Sequence, residues 1–448
     1  MIATRNLVPL YRLGTRGFGL IAKPFLYWRM TRGKEDRQRL TEKTGIASLE
    51  RPAGRLAWLH GASVGESISL LPLVEQLAAR GLSVLVTTGT LSSARILAER
   101  LGPGAMHQFA PLDVPRFIAR FLGHWQPDIV LVAESEIWPN LFCDVDKAGI
   151  PLVLVSARLS GRSYARWQRF HASISSILKR VDLCLAQTQE DGSRLLRLGA
   201  PRVQVAGNLK YDVPALPADT GEVASLSAAI GPRPVWLAAS THAGEEALAG
   251  DVHLALKPRF PNLLTMIAPR HPHRTPQIIR ELELAGLRVG LRSRGAVIAD
   301  DLDIYIADTM GEMGLLYRLA NIVFVGKSLE MGQPHGFGGQ NPIEPAKLGN
   351  AILHGPGVEN FTEVYAALDE TGAGQCVADA AELADALQTL LTDRAGLRAM
   401  ARAAQECVQG FGGASAKIMQ ALEPYLMQMT VEDDRAVAAA PAASATRA

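Results

Sequence analysis

RLAWLHGASVGESISLLPLVEQLAARG, residues 55–81, decides how the chain folds. RLAWLH is an apolar run without polar alternation, the pattern of a strand covered on both faces. SISLLPLVEQLAARG carries its apolar residues at helical spacing and reads as an amphipathic helix. Between the two lies HGASVGE, a loop of small residues holding one carboxylate, Glu66. Ligands of open α/β sheets bind at the carboxyl ends of strands, and Glu66 stands at such an end.

The same alternation continues outward. LSVLVTT, MHQFAPL, DIVLVAE, PLVLVSA, DLCLAQT and VQVAGN read as further strands, with helical stretches such as LSSARILAERL and VPRFIARFLGHW between them. It restarts after residue 234 with PVWLAAS, NLLTMIAP, LRVGLRS, DIYIAD, NIVFVGK, AILHG and QCVAD. Strands that are Val/Leu/Ala-rich and separated by helices predict parallel sheets with crossover helices. The fold class is therefore α/β, with two Rossmann-like doubly wound domains facing a cleft. The expected boundaries are a basic apolar segment at 1–34, a first domain at 35–212, a Pro-rich linker at 213–234, a second domain at 235–427 and a disordered small-residue tail at 428–448. Two late helices, around AGLRAMARAAQECVQG and SAKIMQALEPYL, are expected to close the second sheet.

Composition narrows the class. A chain of 448 residues, 48% apolar and 20% charged, has room for two cores. Its net charge of +2 gives no general case for nucleic acid. Cys143, Cys184, Cys376 and Cys407 are far apart and fit no zinc spacing, so they read as buried reduced thiols. Charge is uneven at the start: no acidic residue precedes Glu35, while Arg5, Arg12, Arg16, Lys23, Arg29, Arg32 and Lys34 are interleaved with aromatic and aliphatic residues. No uncharged run approaches the roughly 20 residues of a spanning helix, and no signal-peptide pattern is present. A basic aromatic segment of this kind suits an anionic membrane surface.

The candidate chemistry of the first half collects at strand ends: Glu66, the pair Glu134 and Glu136 in VAESEIWPN, Arg158 in VSARLSGRS and Lys210 in AGNLKYD. A carboxylate facing a cleft without a chelating neighbour suits a general base, and Ser63 with the adjacent glycines leaves room for a substrate. The alternative for Glu66 is a helix cap, and for Glu134 or Glu136 an ion pair with Arg158. In the second half, Arg270 follows a strand in IAPRHPHR, Asp308–Met313 opens a helix, and Asn341 and Glu344 follow a glycine-bearing loop. That set suits an anionic nucleotide sugar. No GxGxxG follows either first strand, so a dinucleotide is poorly supported. DVD at 144–146 and DLD at 301–303 read as solvated surface, and His271, His273 and His335 as loop residues.

HGASVGE, TTGTLSSARI, ESEIWPN, ARLSGRS, PRHPHR, DTMGE and GGQNPIEPA, in that order, resemble the transferases of Kdo, 3-deoxy-D-manno-octulosonic acid, in lipopolysaccharide synthesis. The resemblance runs to about residue 427. It implies a glycosyltransferase-B fold, a CMP-Kdo donor, a lipid A precursor (lipid IVA) as acceptor, and inversion at the anomeric carbon. It places the acceptor on the first domain and the donor on the second. By resemblance Glu66 is the general base, and Glu134, near Glu136, and Lys210 stabilise the transition state. Ser63 and Arg158 lie in the acceptor-side motifs. Pro269, Arg270, Met310, Gly311, Glu312, Asn341, Pro342 and Glu344 match the segments that hold CMP. No metal or other cofactor is implied, and the expected location is the cytoplasmic face of the inner membrane, reached through residues 1–34.

The donor loop departs from the usual family form. Lys327 stands for a glycine, Gln340 stands where histidine is common, and QPHGFG lengthens the loop. Two rival readings are an epimerase-like nucleotide-sugar enzyme of the same fold and a non-catalytic sugar-nucleotide sensor. The first lacks a use for the basic apolar start, and the second would tolerate loss of Glu66.

Overall fold

The computed structural model describes residues 5–329 and 338–439, with backbone alone for 432–439. It divides into two compact units. The first comprises the residues up to Val213 together with those from Gly412 onward, and the second spans Pro214–Phe411.

The first unit holds a seven-stranded sheet of β1 (Leu56–His60), β2 (Ser83–Thr88), β3 (Ala105–Phe109), β4 (Ile129–Ala133), β5 (Leu152–Ala157), β6 (Leu183–Ala186) and β7 (Val203–Val205). Their order across the sheet is β3-β2-β1-β4-β5-β6-β7, and every pairing is parallel. The second holds β8 (Val235–Thr241), β9 (Leu264–Pro269), β10 (Val289–Leu291), β11 (Ile304–Ile306), β12 (Ile322–Val325), β13 (Ala351–His354) and β14 (Gly374–Cys376). Their order is β10-β11-β9-β8-β12-β13-β14, again wholly parallel. Both sheets are doubly wound, as read from the chain. Every residue of β1 and β4, and of β9, β12 and β13, is buried, which is why these strands carry no polar alternation. Each sheet reverses its winding beside its first strand, at β1/β4 and at β8/β12. Loops leaving those four strands flank the crevice where such folds bind ligands.

Three expected boundaries change. The stretch 213–234 is not only linker: Thr220–Ile230 is a helix, capped by the Asp219 side chain accepting from Glu222 N at 2.8 Å. Its Ala, Leu and Ser content supports a helix once Asp219 starts it, although the flanking prolines dominate a reading by composition. The helix from Arg394 belongs to the second unit, but the last helix, Ala414–Ala439, belongs to the first. Its Ala414, Ile418, Leu422, Leu426 and Met429, spaced by three or four residues, join the core of Leu70, Leu73 and Leu209. Asp212 pins its start, accepting from Gly413 N at 2.7 Å and from Ser415 N. The expected tail at 428–448 is thus helical to Ala439, and 440–448 lie outside the described residues.

The basic start folds as a helix, Val8–Thr31. One face is packed: Val8, Gly19, Ala22 and Leu26 are buried. Gly19 is required there, since a Cβ would stand 2.9 Å from Val114 Cγ1, and Arg116 donates to its carbonyl. The opposite face leaves Leu20 at 76% and Ile21 at 60% exposure, with Leu13, Tyr27 and Trp28 also open. No helix among the described residues is long and apolar enough to cross a membrane.

Two smaller readings are corrected. Asp303 of DLD is buried, not solvated: it accepts from Lys257 Nζ at 2.5 Å and Arg288 N at 3.0 Å, and lies 3.3 Å from His253 Nε2. Asp144 of DVD is held by Arg12 at 2.6 Å. Of the thiols only Cys184 is buried, while Cys376 is exposed. Both strings look solvent-facing in sequence because their partners lie far away along the chain.

Candidate active site

At the first switch point, the loop after β1 turns into the short helix Val64–Ser69 with Ser63 as its N-cap. Ser63 Oγ accepts from Glu66 N at 3.3 Å and donates to Glu66 Oε1 at 2.8 Å, while Ala62 N donates to Glu66 Oε2 at 2.8 Å. This is a variant of the capping box, in which the carboxylate reaches the amide one residue before the N-cap. Glu66 is therefore a cap partner and a partly exposed carboxylate at once. Two of its roughly four lone-pair sites are taken, and the rest remain available to a hydroxyl proton.

Across the switch point, β4 ends at Ala133 and Glu134 turns the chain in the left-handed region, at φ 52°. A non-glycine residue in that conformation is uncommon and marks functional turns. Lys210, in the one-turn helix Leu209–Tyr211 after β7, places Nζ 2.6 Å from Glu134 Oε1. The contact is an ion pair off the straight hydrogen-bond direction. Lys210 is also the neighbour of the β1 loop, since a Cβ on Gly65 would lie 3.9 Å from its Cε. Glu136 accepts from Trp138 Nε1 at 2.8 Å. Burial raises its carboxyl above the ordinary range, reinforced by the charges of Glu66 and Glu134 and opposed by the indole.

The structure thus brings Glu66, Glu134, Glu136 and Lys210 together. Arg158 does not pair with either glutamate: its side chain is exposed, and its carbonyl accepts from Ser135 Oγ. Asn140 of ESEIWPN is structural, buried and donating to Asp113 O at 2.6 Å and Thr15 Oγ1 at 3.0 Å, which ties the motif to the N-terminal helix.

Beneath these loops lie two groups that the sequence did not announce. His60 is fully buried, bonded through Nδ1 to Thr87 Oγ1 at 2.9 Å, and burial pushes its pKa down to about 4. Lys43 is buried on the Phe109 ring and donates to Gly89 O at 2.9 Å. Desolvation pushes it down to about 8. Gly89 in turn donates to Ala62 O at 3.1 Å, so Lys43 braces the loop carrying Glu66 from behind.

The second switch point is built from the loop after β8, which the sequence reading passed over. Glu245 is buried and accepts from His242 N and Lys327 N at 2.8 Å each and from Ser328 N at 3.1 Å. Glu246 is buried and takes Arg274 through both nitrogens, at 2.9 and 3.2 Å. THAGEE repeats the pattern of HGASVGE, a strand end, small residues, then a glutamate opening a helix, and that echo was the available signal. Lys327 sits at φ 59°, a conformation natural to the glycine it replaces. Gln340 lies 3.0 Å from His242 through its amide nitrogen. Burial lowers His242 to about 4, with further push from the neighbouring His271, Lys327 and Arg270. Arg270, after the buried Pro269 at the end of β9, is exposed and donates its backbone N to Thr241 O at 3.0 Å.

The other second-half residues stand separately. Met310 and Gly311 are exposed after β11, while Glu312 is held by Arg292 at 2.7 Å, which keeps its carboxyl below the usual range. Glu312 and Gly311 line a pocket of about 260 Å³ with Asp219 and Glu222. Asn341 accepts from Ile343 N at 3.0 Å, Pro342 is buried, and Glu344 lies partly exposed in the first turn of Ile343–Lys347. QPHGFG and His335 fall outside the described residues but for Gly338. No cluster of potential metal ligands exists among the described residues.

Two doubly wound parallel sheets, each with ionisable loops at its switch point, define the GT-B fold. Solved structures share that architecture. UDP-GlcNAc 2-epimerase from Neisseria meningitidis aligns with TM-score 0.56 and 16% identity over 83% of this chain and 100% of its own. A glycosyltransferase from Rickettsia africae aligns with TM-score 0.54 and 12% identity over 84% and 98%. Sequence relatives are closer. The 3-deoxy-D-manno-octulosonic acid transferase of Bordetella pertussis is 34% identical, covering 93% of this chain and 99% of its own. The enzyme of that name from Haemophilus influenzae is 34% identical over 87% and 92%. A probable mitochondrial one from Arabidopsis thaliana is 34% identical over 89% and 91%. The family profile described as 3-Deoxy-D-manno-octulosonic-acid transferase (kdotransferase) matches residues 38–213. The chain belongs to the Kdo transferase family.

Proposed function

We propose that this protein transfers Kdo from CMP-Kdo to a lipid A precursor, lipid IVA, in lipopolysaccharide synthesis, with Glu66 as general base. The convergence of Glu66, Glu134, Glu136 and Lys210 on one switch point carries the reading, in a chain whose relatives bear the name of that transferase. The acceptor hydroxyl gives its proton to Glu66 as its oxygen attacks the anomeric carbon of Kdo, and CMP leaves as an anion. The Lys210 ammonium, oriented by Glu134, stabilises negative charge on the Kdo carboxylate or the departing phosphate. Burial holds the Glu136 carboxyl above its ordinary range beside Glu66 and Glu134.

The second unit holds the donor. Arg270 and Lys327 offer positive charge beside His242 and Gln340, and Pro269, Met310, Gly311, Glu312, Asn341, Pro342 and Glu344 supply the surrounding backbone and polar groups. The exposed aromatic and aliphatic face of the N-terminal helix rests on the cytoplasmic leaflet of the inner membrane, with its basic residues at the headgroups. Ser63 and Arg158 lie on the acceptor side.

The test is transfer from CMP-Kdo to a tetraacylated lipid A precursor, followed by product mass, for the intact protein and Glu66→Gln. Transfer by the intact protein with loss in a Glu66→Gln variant that still binds CMP supports the assignment. Normal transfer by Glu66→Gln removes it, with Glu134 the next candidate, and no transfer by the intact protein removes the function.

A further inference from the structure

Lys43 stands in the short helix Leu40–Thr44 and is buried. Two carboxylates are close enough to act on its charge, Glu35 and Glu42, and both serve other partners. Glu35 takes Arg29 at 2.5 Å. Glu42 takes Arg39 at 2.8 Å and the Phe109 amide at 2.7 Å, and Ser48 as well. The Lys43 ammonium lies 4.9 Å from the Phe109 ring centre, and its one hydrogen-bond acceptor among the described residues is Gly89 O. Desolvation works against its charged form, and Arg29 and Arg39 add repulsion that Glu35 and Glu42 only partly offset. A lysine so placed costs the fold stability at neutral pH, so stability is not what it contributes.

What it holds is a loop of the candidate active site. Gly89 follows β2 and Ala62 lies in the loop after β1, and those two strands pair in parallel. The ladder runs on past both strand ends: Gly61 N donates to Thr87 O at 3.1 Å, and Gly89 N to Ala62 O at 3.1 Å. Ala62 N then donates to Glu66 Oε2 at 2.8 Å. Three hydrogen bonds, through the backbones of Gly89 and Ala62, therefore lead from Lys43 Nζ to the Glu66 carboxylate. The approach of the two loops is tight, since a Cβ on Gly89 would stand 3.1 Å from Ala62 O. The Lys43 end is fixed as well: Thr88 Oγ1 lies 2.9 Å from His107 Nε2, and His107 Nδ1 lies 3.1 Å from the Arg39 guanidinium. A base works only while its free lone pairs face the hydroxyl, and a misplacement of about 1 Å costs roughly 10²-fold.

We propose that Lys43 is a positioning residue for Glu66, acting through Gly89 and Ala62 to hold the carboxylate in its reactive orientation. The inference rests on the reading of Glu66 as general base. It adds a residue that touches no substrate, and it gives the glycine of TTGTLSSARI a use: Gly89 carries the hold of Lys43 to the loop after β1.

The test sets turnover against stability in the full-length protein and in Lys43→Met, with CMP-Kdo and a tetraacylated lipid A precursor as substrates. The variant sheds a desolvated charge, so at pH 7 it should melt no lower than the intact protein. Its kcat should nevertheless fall by about tenfold or more, with KM for both substrates within about twofold. Amide hydrogen exchange, measured without substrate, should quicken by about tenfold at residues 61–67 and at Gly89, and stay unchanged in β4 and β5. Gly89→Ala approaches the same contact from its other side and keeps the proposal testable where Lys43→Met does not fold. Its added Cβ should push the two loops apart and slow turnover in the same way. Turnover within about twofold of the intact protein in a folded Lys43→Met, or unchanged exchange at residues 61–67, overturns the proposal. So does a variant slowed only in step with a lowered melting temperature and with faster exchange across the whole first sheet, which makes Lys43 a residue of general stability. The exchange result needs neither donor nor transfer. It therefore speaks on Lys43 even where Glu66→Gln transfers normally and the reading of Glu66 as base fails.

Discussion

Lys210 Nζ lies 2.6 Å from Glu134 Oε1, and this ion pair joins the end of the first sheet's edge strand region to the turn after β4. Lys210 thereby reaches the β1 loop that carries Glu66. Lys210→Met leaves the Glu134 carboxylate, with 15% side-chain exposure, without its cation. Turnover should fall about 10²- to 10³-fold, the usual cost of losing one preorganised charge partner of a transition state. The acceptor KM should change little, and stability should drop by about 1–2 kcal/mol. Steady-state kinetics with a denaturant titration checks both; a selective rise in acceptor KM would make Lys210 a binding residue.

Lys43 predicts a pH effect with a definite sign. Its pKa is about 8 in the folded chain and 10.5 in the reference state, so between those values the unfolded chain holds more protons. Stability should therefore rise with pH from about 8 to 10.5, by on the order of 3 kcal/mol from this group. The difference in unfolding free energy between the intact protein and Lys43→Met, measured across that window, should carry the slope. An unchanged difference would place the ammonium in solvent.

The N-terminal helix separates packing from surface. Leu20→Glu/Ile21→Glu changes two exposed residues, whereas deletion of residues 1–30 also removes the buried Val8, Ala22 and Leu26. The double variant should float free of anionic vesicles with stability within about 0.5 kcal/mol of the intact protein. The deletion should lower stability as well, by several kcal/mol. Flotation and thermal melts of both distinguish them, and retained vesicle binding in the double variant would remove the membrane role of this face.

Lys327 holds a left-handed conformation at φ 59°. Lys327→Gly should raise stability by about 1 kcal/mol by relieving it, while weakening CMP binding through loss of the charge. Thermal melts with and without CMP check the pair; a variant that binds CMP as tightly as the intact protein would point the Lys327 side chain to solvent.

Much of the fold was legible because a doubly wound sheet writes itself locally. All fourteen strands fall on stretches read as strands in the chain; the central ones are apolar throughout, since parallel strands buried on both faces tolerate almost no polar residue, while the edge strands β3, β7 and β14 are only partly buried. Glu66 was legible for a similar reason: the strand, the glycines and the following helix stand within one short stretch. The last helix was misplaced because its amphipathic pattern says that it needs a core, not which one. Asp212, far from it in sequence, holds its start to the first unit. The buried Lys43 and the pair Glu245 and Glu246 were invisible because each looks like an ordinary charged residue until its partners arrive.

Sequence alone thus determined the two parallel sheets, the family and the loops that stand at the strand ends, because strand burial and loop composition are local properties of the chain. Tertiary structure decided which charges meet: that Glu134 pairs with Lys210 and not Arg158, that Glu66 is both cap and open carboxylate, and that Asp303 is buried. Those outcomes depend on distances between residues remote in sequence, and electrostatic partners are chosen by proximity in space.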